Sequence, residues 1–350
     1  MNRDELSAAV AEGGFIRGED LSGQDLSGVD LSGMILEGTS FRGSNLAGAD
    51  LKEVAMMACD FSGANLSGAR MHLVQAHDSQ FVGARLAEAN LTSAQLSSIR
   101  FEDADFSGAN LEMAGFANSD VSRARLGGAR AYRCTFLTCT TAGLDLSGTD
   151  LEMVIFFGGD LSLSSLEGCS FDKVIFQETT IKGLDLSKKK FSLCSFIGAD
   201  LTGCDLTGAD LTQCNFMGAT LTAVELDGVE APMSLFVEAQ ASDVSFEGAN
   251  LENGQFADAT LERANFTGAN LKQGIFHRAK CAGAVFERAT LYEADLSHAD
   301  LSLANFTGAS LYRCRLHAIT EDRTLFGPER ALCLETDERL ARAELFEPKY

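Results

Sequence analysis

Apolar side chains recur along this chain at every fifth residue. From Leu21, through Leu26, Leu31, Leu36, Phe41, Leu46 and Leu51, the register runs to Leu316 without an insertion or deletion, sixty consecutive centres in all. Thirty are Leu and twenty are Phe; the exceptions are Met56, Met71, Ala76, Val121, Ala131, Thr141, Ile181, Ala231, Ala241 and Cys281. Two residues before a centre the chain prefers a small side chain, as at Ala49, Ala64, Cys204, Ala209 and Cys214. One residue before, it prefers Asp or Asn (Asp25, Asp30, Asn65, Asn110, Asp205), and two residues after, Gly (Gly23, Gly28, Gly63, Gly203). A helix repeats near 3.6 residues and a strand at 2, so neither carries this pattern. A chain that turns a corner every five residues does. Gly supplies the positive φ that a type II turn needs, and Asp or Asn bonds to nearby backbone. Four corners close a coil of 20 residues around the Leu/Phe and small positions.

Such a coil predicts that residues 20 apart stack. Phe116, Phe136, Phe156, Phe176, Phe196, Phe216, Phe236, Phe256 and Phe276 form one column; Phe41, Phe61, Phe81 and Phe101 a second; Phe246, Phe266, Phe286 and Phe306 a third. The motif, [A/C/V]-[D/N]-[L/F]-x-G over residues 21–318, resembles the pentapeptide-repeat family. The resemblance implies an all-β solenoid, a right-handed quadrilateral β-helix of about 15 coils. At a strand spacing of about 4.8 Å this gives a rod roughly 70 Å long. Open coil ends invite strand pairing, so caps are expected. The sequence divides into a helical N-terminal cap (1–14), the repeat region (15–319) and a helical C-terminal cap (320–350). Gly327-Pro328 opens a helix over 329–346, with Leu334, Leu340, Leu345 and Phe346 as cap or dimer contacts.

Composition adds less than it first suggests. The formal charge is −22, which disfavours direct binding to nucleic acid or an anionic membrane. Much of the acid, however, belongs to the Asp of the repeat. The N-terminus lacks a leader-like apolar run and no stretch is long enough to span a bilayer, so the expected location is cytoplasmic, export by a specialised system aside. Of ten Cys, eight (Cys59, Cys134, Cys139, Cys169, Cys194, Cys204, Cys214 and Cys314) hold small inward positions. They read as small hydrophobes in place of Ala. Cys281 is a centre and Cys333 lies outside the repeat. His72, His77, His277, His298 and His317 read as surface residues rather than metal ligands. No nucleophile–base set, phosphate loop or dinucleotide fingerprint appears, so no catalytic residue, cofactor or metal is expected.

Function should sit where the template is broken. On the face of the long Phe column, outward positions that usually carry polar residues hold Ile35, Ile155, Ile175, Leu235 and Ile275, then Leu137, Phe157, Ile197, Met217 and Val237. The preceding corner adds Leu73, Met113, Met153, Leu193 and Met233. The expected interface is Met113, Leu137, Met153, Ile155, Phe157, Ile175, Leu193, Ile197, Met217, Met233, Leu235 and Val237. Exposed apolar patches mark protein contacts, and Met suits adaptable ones. Pro232 lies within the patch. Lys189 falls on an inward position, which predicts local distortion or a side chain that reaches outward. Arg123, Arg125, Arg130 and Arg133 make a basic cluster that reads as a solvated face.

The leading expectation is a non-enzymatic scaffold that presents this strip to a protein partner or to a second copy, with a homodimer as one form. The resemblance supplies two alternatives. Some members are acidic DNA mimics that bind DNA gyrase and confer resistance to its poisons. Others accompany type VI secretion or act as effectors.

Overall fold

The computed structural model describes Met1 and residues 3–344. The chain forms two compact units, 1–180 and 181–350, each built of stacked 20-residue coils. All sixty centres are buried, Thr141 included, whose hydroxyl donates to the Asp160 carbonyl at 2.6 Å. The expected parallel β-solenoid is what the chain adopts.

The corners follow from the motif. Most turns are closed by an amide three residues past a centre donating back to it, as Ala64 to Phe61 (3.0 Å) and Ala209 to Leu206 (2.9 Å), while Cys59 and Ile99 donate instead to Ser79 and Ser119 Oγ (3.0 Å each). Residue two past the centre is left-handed: Gly28 at φ +63°, Gly203 at φ +70°. The Asp before the centre accepts the amide two residues on, as Asp25 from Ser27 (3.1 Å) and Asp205 from Thr207 (2.8 Å). Between coils, the centre amide donates to the next coil, as Leu26 to Asn45 (2.7 Å) and Leu206 to Glu225 (2.9 Å).

The small inward positions do more than fill space. Where they carry Ser, Thr or Cys, the side chain commonly donates to a carbonyl 23 residues earlier. Ser44 reaches Leu21 (2.6 Å), Cys204 reaches Ile181 (2.8 Å) and Cys214 reaches Phe191 (2.9 Å). The thiols are thus coil-to-coil donors as well as packing groups, and a polar atom buried there is satisfied.

In the first unit, α1 (Arg3–Ala11) precedes a nine-stranded parallel sheet made of one strand per coil. Its strands are β1 (Phe15–Arg17), β2 (Ile35–Glu37), β3 (Ala55–Met57), β4 (Gln75–His77), β5 (Gln95–Ser97), β6 (Gly115–Ala117), β7 (Thr135–Leu137), β9 (Ile155–Phe157) and β11 (Ile175–Gln177). A neighbouring side carries β8 (Asp150–Glu152) paired with β10 (Ser170–Asp172). The expected ladders are present here. Phe41, Phe61 and Phe81 stack at 4.7 and 4.8 Å, and Phe116, Phe136, Phe156 and Phe176 at 5.0, 5.1 and 5.5 Å.

The second unit has short β12 (Phe191–Ser192), β13 (Asn305–Phe306) and β14 (Leu325–Phe326); its other rungs are single parallel bridges. Phe196 through Phe276 stack at 4.7–4.9 Å. The third column, Phe246 to Phe306, continues to Phe326. No helix among the described residues is long and apolar enough to cross a membrane.

The C-terminal segment differs from the single helix expected over 329–346. Pro328–Leu332 forms a 3-10 turn, and among the described residues α2 spans Glu338–Glu344. The break has a cause: Leu334 bridges in parallel to Arg315, donating to Cys314 (2.8 Å) and accepting from Leu316 (2.8 Å). The segment thereby adds a rung to the final coil and satisfies an edge that would otherwise be open. Leu334 and Leu340 are exposed; Leu345 and Phe346 lie outside the described residues.

Candidate interaction surfaces

On the first unit, the strand register aligns the outward apolar residues in pairs. Leu137 lies beside Phe157 and Ile155 beside Ile175. Met113 (48% exposed) and Leu137 are exposed, whereas Met153, Ile155, Phe157 and Ile175 are half-buried. Ile35 and Met57, each more than half exposed, extend the apolar character towards the start of the sheet. Between these groups lies a groove of about 470 Å³, lined by Ile35, Met57, Gln95, Gly115, Thr135 and Leu137 among others. It exists because Ala55, Gly115 and Ala117 are small where neighbouring coils carry larger outward side chains. Sequence reasoning placed the densest apolar run from residue 113 onward and missed this groove. Its signal was the run of small outward residues rather than large ones. Leu163, 75% exposed, is a further apolar residue that the pattern did not single out.

On the second unit, Leu193, Met217 and Met233 are exposed, and Ile197, Leu235 and Val237 are half-buried. Pro232 sits in a regular corner, its carbonyl accepting from Gln213 at 3.0 Å. Lys189 is half-buried, in line with a side chain that reaches outward, and the neighbouring inward residue Leu184 is half-buried too.

The corner residues share a backbone feature. Leu73, Met113, Met153, Leu193 and Met233 occupy the glycine position of the turn at φ between +53° and +61°. Bulky side chains rarely tolerate that region. Here they hold it, Leu73, Met113, Leu193 and Met233 exposed and Met153 half-buried.

Charged groups are largely absorbed by the coils. Arg123 bonds Asp103 one coil away through two contacts of 2.8 Å, and Arg125 bonds Asp105 at 2.8 Å. Arg130 approaches Glu112 at 3.5 Å. Three of the four arginines of the basic cluster, Arg123, Arg125 and Arg130, are therefore paired with local acid. The repeat carboxylates are likewise engaged: Ser27 hydrogen bonds hold Asp25 below the usual carboxylate range, and Ser32 does the same for Asp30. Burial pushes the inward thiols up, Cys139 and Cys204 both to about 11, which makes them poor nucleophiles.

One site departs from the surface reading of the histidines. His317 is 2% exposed, covered by the C-terminal segment. Its Nε2 lies 3.1 Å from Glu344 Oε2, and its Nδ1 accepts the Asp337 amide at 3.2 Å. His298 Nε2 lies 3.3 Å from Glu344 Oε1. The register could place His298 and His317 on adjacent coils but not α2 against them.

Comparison with known proteins agrees with this architecture. A model of the pentapeptide repeat region matches residues 209–286. A model of pentapeptide repeats in eight copies matches 5–43, 25–63, 35–72, 79–123, 99–136 and 279–317. Among curated proteins none matches the sequence significantly. Solved structures similar to it include a pentapeptide repeat protein from the Arabidopsis thaliana thylakoid lumen (28% identity over 27% of this chain and 63% of that one, TM-score 0.22). HetL of Nostoc sp. strain PCC 7120, involved in heterocyst differentiation regulation, matches at 22% identity over 90% of this chain and 97% of its own, with a TM-score of 0.22. Full-length QnrB1, a plasmid-mediated fluoroquinolone resistance protein, matches at 23% identity over 61% and 91%, with a TM-score of 0.21. With the motif in register across sixty centres, every centre buried, and family matches spread from residue 5 to residue 317, this chain belongs to the pentapeptide-repeat family.

Proposed function

We propose that the protein is a non-enzymatic scaffold that binds a protein partner through the apolar faces of its coils. The observation that carries this reading is the set of bulky apolar residues at left-handed corners, Met113, Met153, Leu193 and Met233. At the equivalent corner other coils hold mostly polar or charged residues at the same positive φ, as Arg133, Lys173, Gln213 and Gln273, so an apolar side chain there departs from the pattern. An exposed Met or Leu at a position that other coils leave polar suits a residue kept for contact. The paired outward residues Leu137–Phe157 and Ile155–Ile175 supply adjoining apolar area. The test is association of the full chain with partners captured from its source cells. Ile155→Asp with Phe157→Asp, and separately Leu235→Asp, should abolish capture and any self-association seen by light scattering. Unaltered capture by both variants, with circular dichroism unchanged, would sink the reading.

The net charge of −22 favours a second reading, mimicry of DNA towards a DNA-binding enzyme such as gyrase. Against it, the repeat carboxylates face their own turn amides and many acids are paired with Arg or Lys one coil away. A supercoiling assay separates the two: inhibition of gyrase at micromolar protein supports mimicry, and no effect removes it.

A further inference from the structure

Three histidines stand on one face of the final coils. The rings of His277, His298 and His317 follow one another at centroid separations of 5.2 and 5.1 Å, close to perpendicular. The backbones of the last two are joined directly, His298 donating its amide to the His317 carbonyl at 2.8 Å. Both imidazoles are therefore fixed on a rigid ladder. Glu344, at the end of α2, comes down onto them. Its two carboxylate oxygens lie 3.3 Å from His298 Nε2 and 3.1 Å from His317 Nε2. The ligand atoms of the three residues all lie within 4.8 Å of one another, and no other group of His, Cys, Asp or Glu converges in this way among the described residues.

We propose that His298, His317 and Glu344 bind a divalent transition metal, zinc foremost, and that the ion fastens the C-terminal segment to the solenoid. Two imidazoles and one carboxylate are a borderline nitrogen and oxygen set of the kind zinc takes, and too poor in oxygen for calcium or magnesium. Ligands about 2.0–2.2 Å from a tetrahedral zinc are roughly 3.3 Å from each other. Each Nε2 already lies at about that separation from one oxygen of Glu344, and the three ligand atoms as a set fall within 4.8 Å, so the carboxylate has to draw in to close them around one ion. Water would complete the fourth position, since the site opens to solvent on the Glu344 side.

Proton balance makes the binding step specific. In the metal-free arrangement His317 Nδ1 accepts the Asp337 amide, so the ring proton is on Nε2 and is donated to Glu344. A metal at Nε2 needs that lone pair. The ring proton moves to Nδ1, the Asp337 amide gives up its acceptor, and this exposed amide turns to water. The ring stays neutral and no proton is lost in sum. Metal uptake thus exchanges the Asp337 amide bond and the hydrogen-bond contacts between the imidazoles and Glu344 for coordination by the same groups.

Tag-free full chain, stripped with chelator, should bind one zinc per chain with micromolar or tighter affinity in a calorimetric titration. Cobalt should give the visible d–d bands of a tetrahedral site. His298→Ala and Glu344→Gln should each weaken zinc at least tenfold, while His277→Ala should not. These residues are not core, so thermal unfolding without metal should match the parent. Amide exchange across 334–344 should slow on zinc addition in the parent and not in Glu344→Gln. No saturable one-to-one binding would overturn the proposal, leaving a hydrogen-bonded clasp. Binding equally tight in both variants would overturn it as well, because the ion would then sit elsewhere.

Discussion

At Met113 the backbone is at φ +58° and at Leu193 at φ +53°, in a corner that holds glycine only at Gly33 along the repeat register. A left-handed L-residue costs roughly 1–2 kcal/mol, and glycine returns roughly 0.5–1 kcal/mol of that through a freer unfolded chain. The strain is in the backbone and not in a clash: a Cβ added at Gly28 or Gly203 meets nothing within 4 Å. Met113→Gly and Leu193→Gly should therefore raise stability by about 0.5–1 kcal/mol, read as a higher urea midpoint, while weakening partner capture. A lower midpoint would show that these side chains pack, and would remove the argument that they are kept for contact. Thiols offer a second test at this scale. Eight of the ten Cys are buried, and only Cys169 and Cys333 are half-buried. With Cys139 and Cys204 pushed up to about 11, native protein at pH 8 should expose at most two thiols to a disulfide reagent, and all ten in denaturant. Rapid reaction of more than two would mean that the coils open.

The coil is the element, and its aromatic ladders are where its stability concentrates. Phe256 stacks on Phe236 at 4.9 Å and Phe276 at 4.7 Å, and meets Phe246 and Phe266 edge-on at 6.1 and 5.9 Å. Phe256→Ala should cost about 3–5 kcal/mol by urea unfolding. Phe256→Leu keeps most of the volume and should cost much less, since Leu is the commoner centre. Comparable losses for both would mean that ring stacking and not volume sets the cost. Almost all of this element was legible in the sequence. Each side chain of the repeat answers to a contact within its own coil or the next, so a five-residue register states inward, outward and corner together. What the sequence hid came from contacts outside the register. The 329–346 stretch has a helical composition, yet Leu334 is taken by the Arg315 rung, so α2 starts only at Glu338. His317 looked like an outward residue until α2 covered it. The groove at Gly115 is formed by small residues, and a search for large apolar ones passes over it. The i to i−23 bonds of Cys204 and Cys214 were also hidden, because packing alone explains a small inward residue.

For the whole molecule the question is what a charge of −22 does to stability, and acid separates its two roles. Self-repulsion predicts that lowering the pH helps, because protonation removes excess negative charge. The repeat carboxylates predict the reverse over a lower range. Asp20, Asp25, Asp30 and Asp185 are held below the usual range chiefly by side-chain hydrogen bonds from Ser22, Ser27, Ser32 and Ser187. Arg123 and Arg263 do the same for Asp103 and Asp243. A carboxyl that is more acidic folded than unfolded contributes its full stabilisation above the unfolded value of about 3.9. That contribution is lost as the pH falls from there through the lower folded value. The two effects do not cancel, because they act in different windows and respond differently to salt. Relief of repulsion acts as Glu and free Asp titrate near pH 4–5, and it is screened by salt. The turn hydrogen bonds act below about pH 4 and are short-range. The melting temperature should hold or rise slightly from pH 7 to about 4.5, then fall steeply, with added salt flattening the first limb and sparing the second. A fall that starts near pH 6 and is abolished by salt would assign the carboxylates to long-range electrostatics instead of the turns, and would restore the acidic surface as the leading clue to a partner.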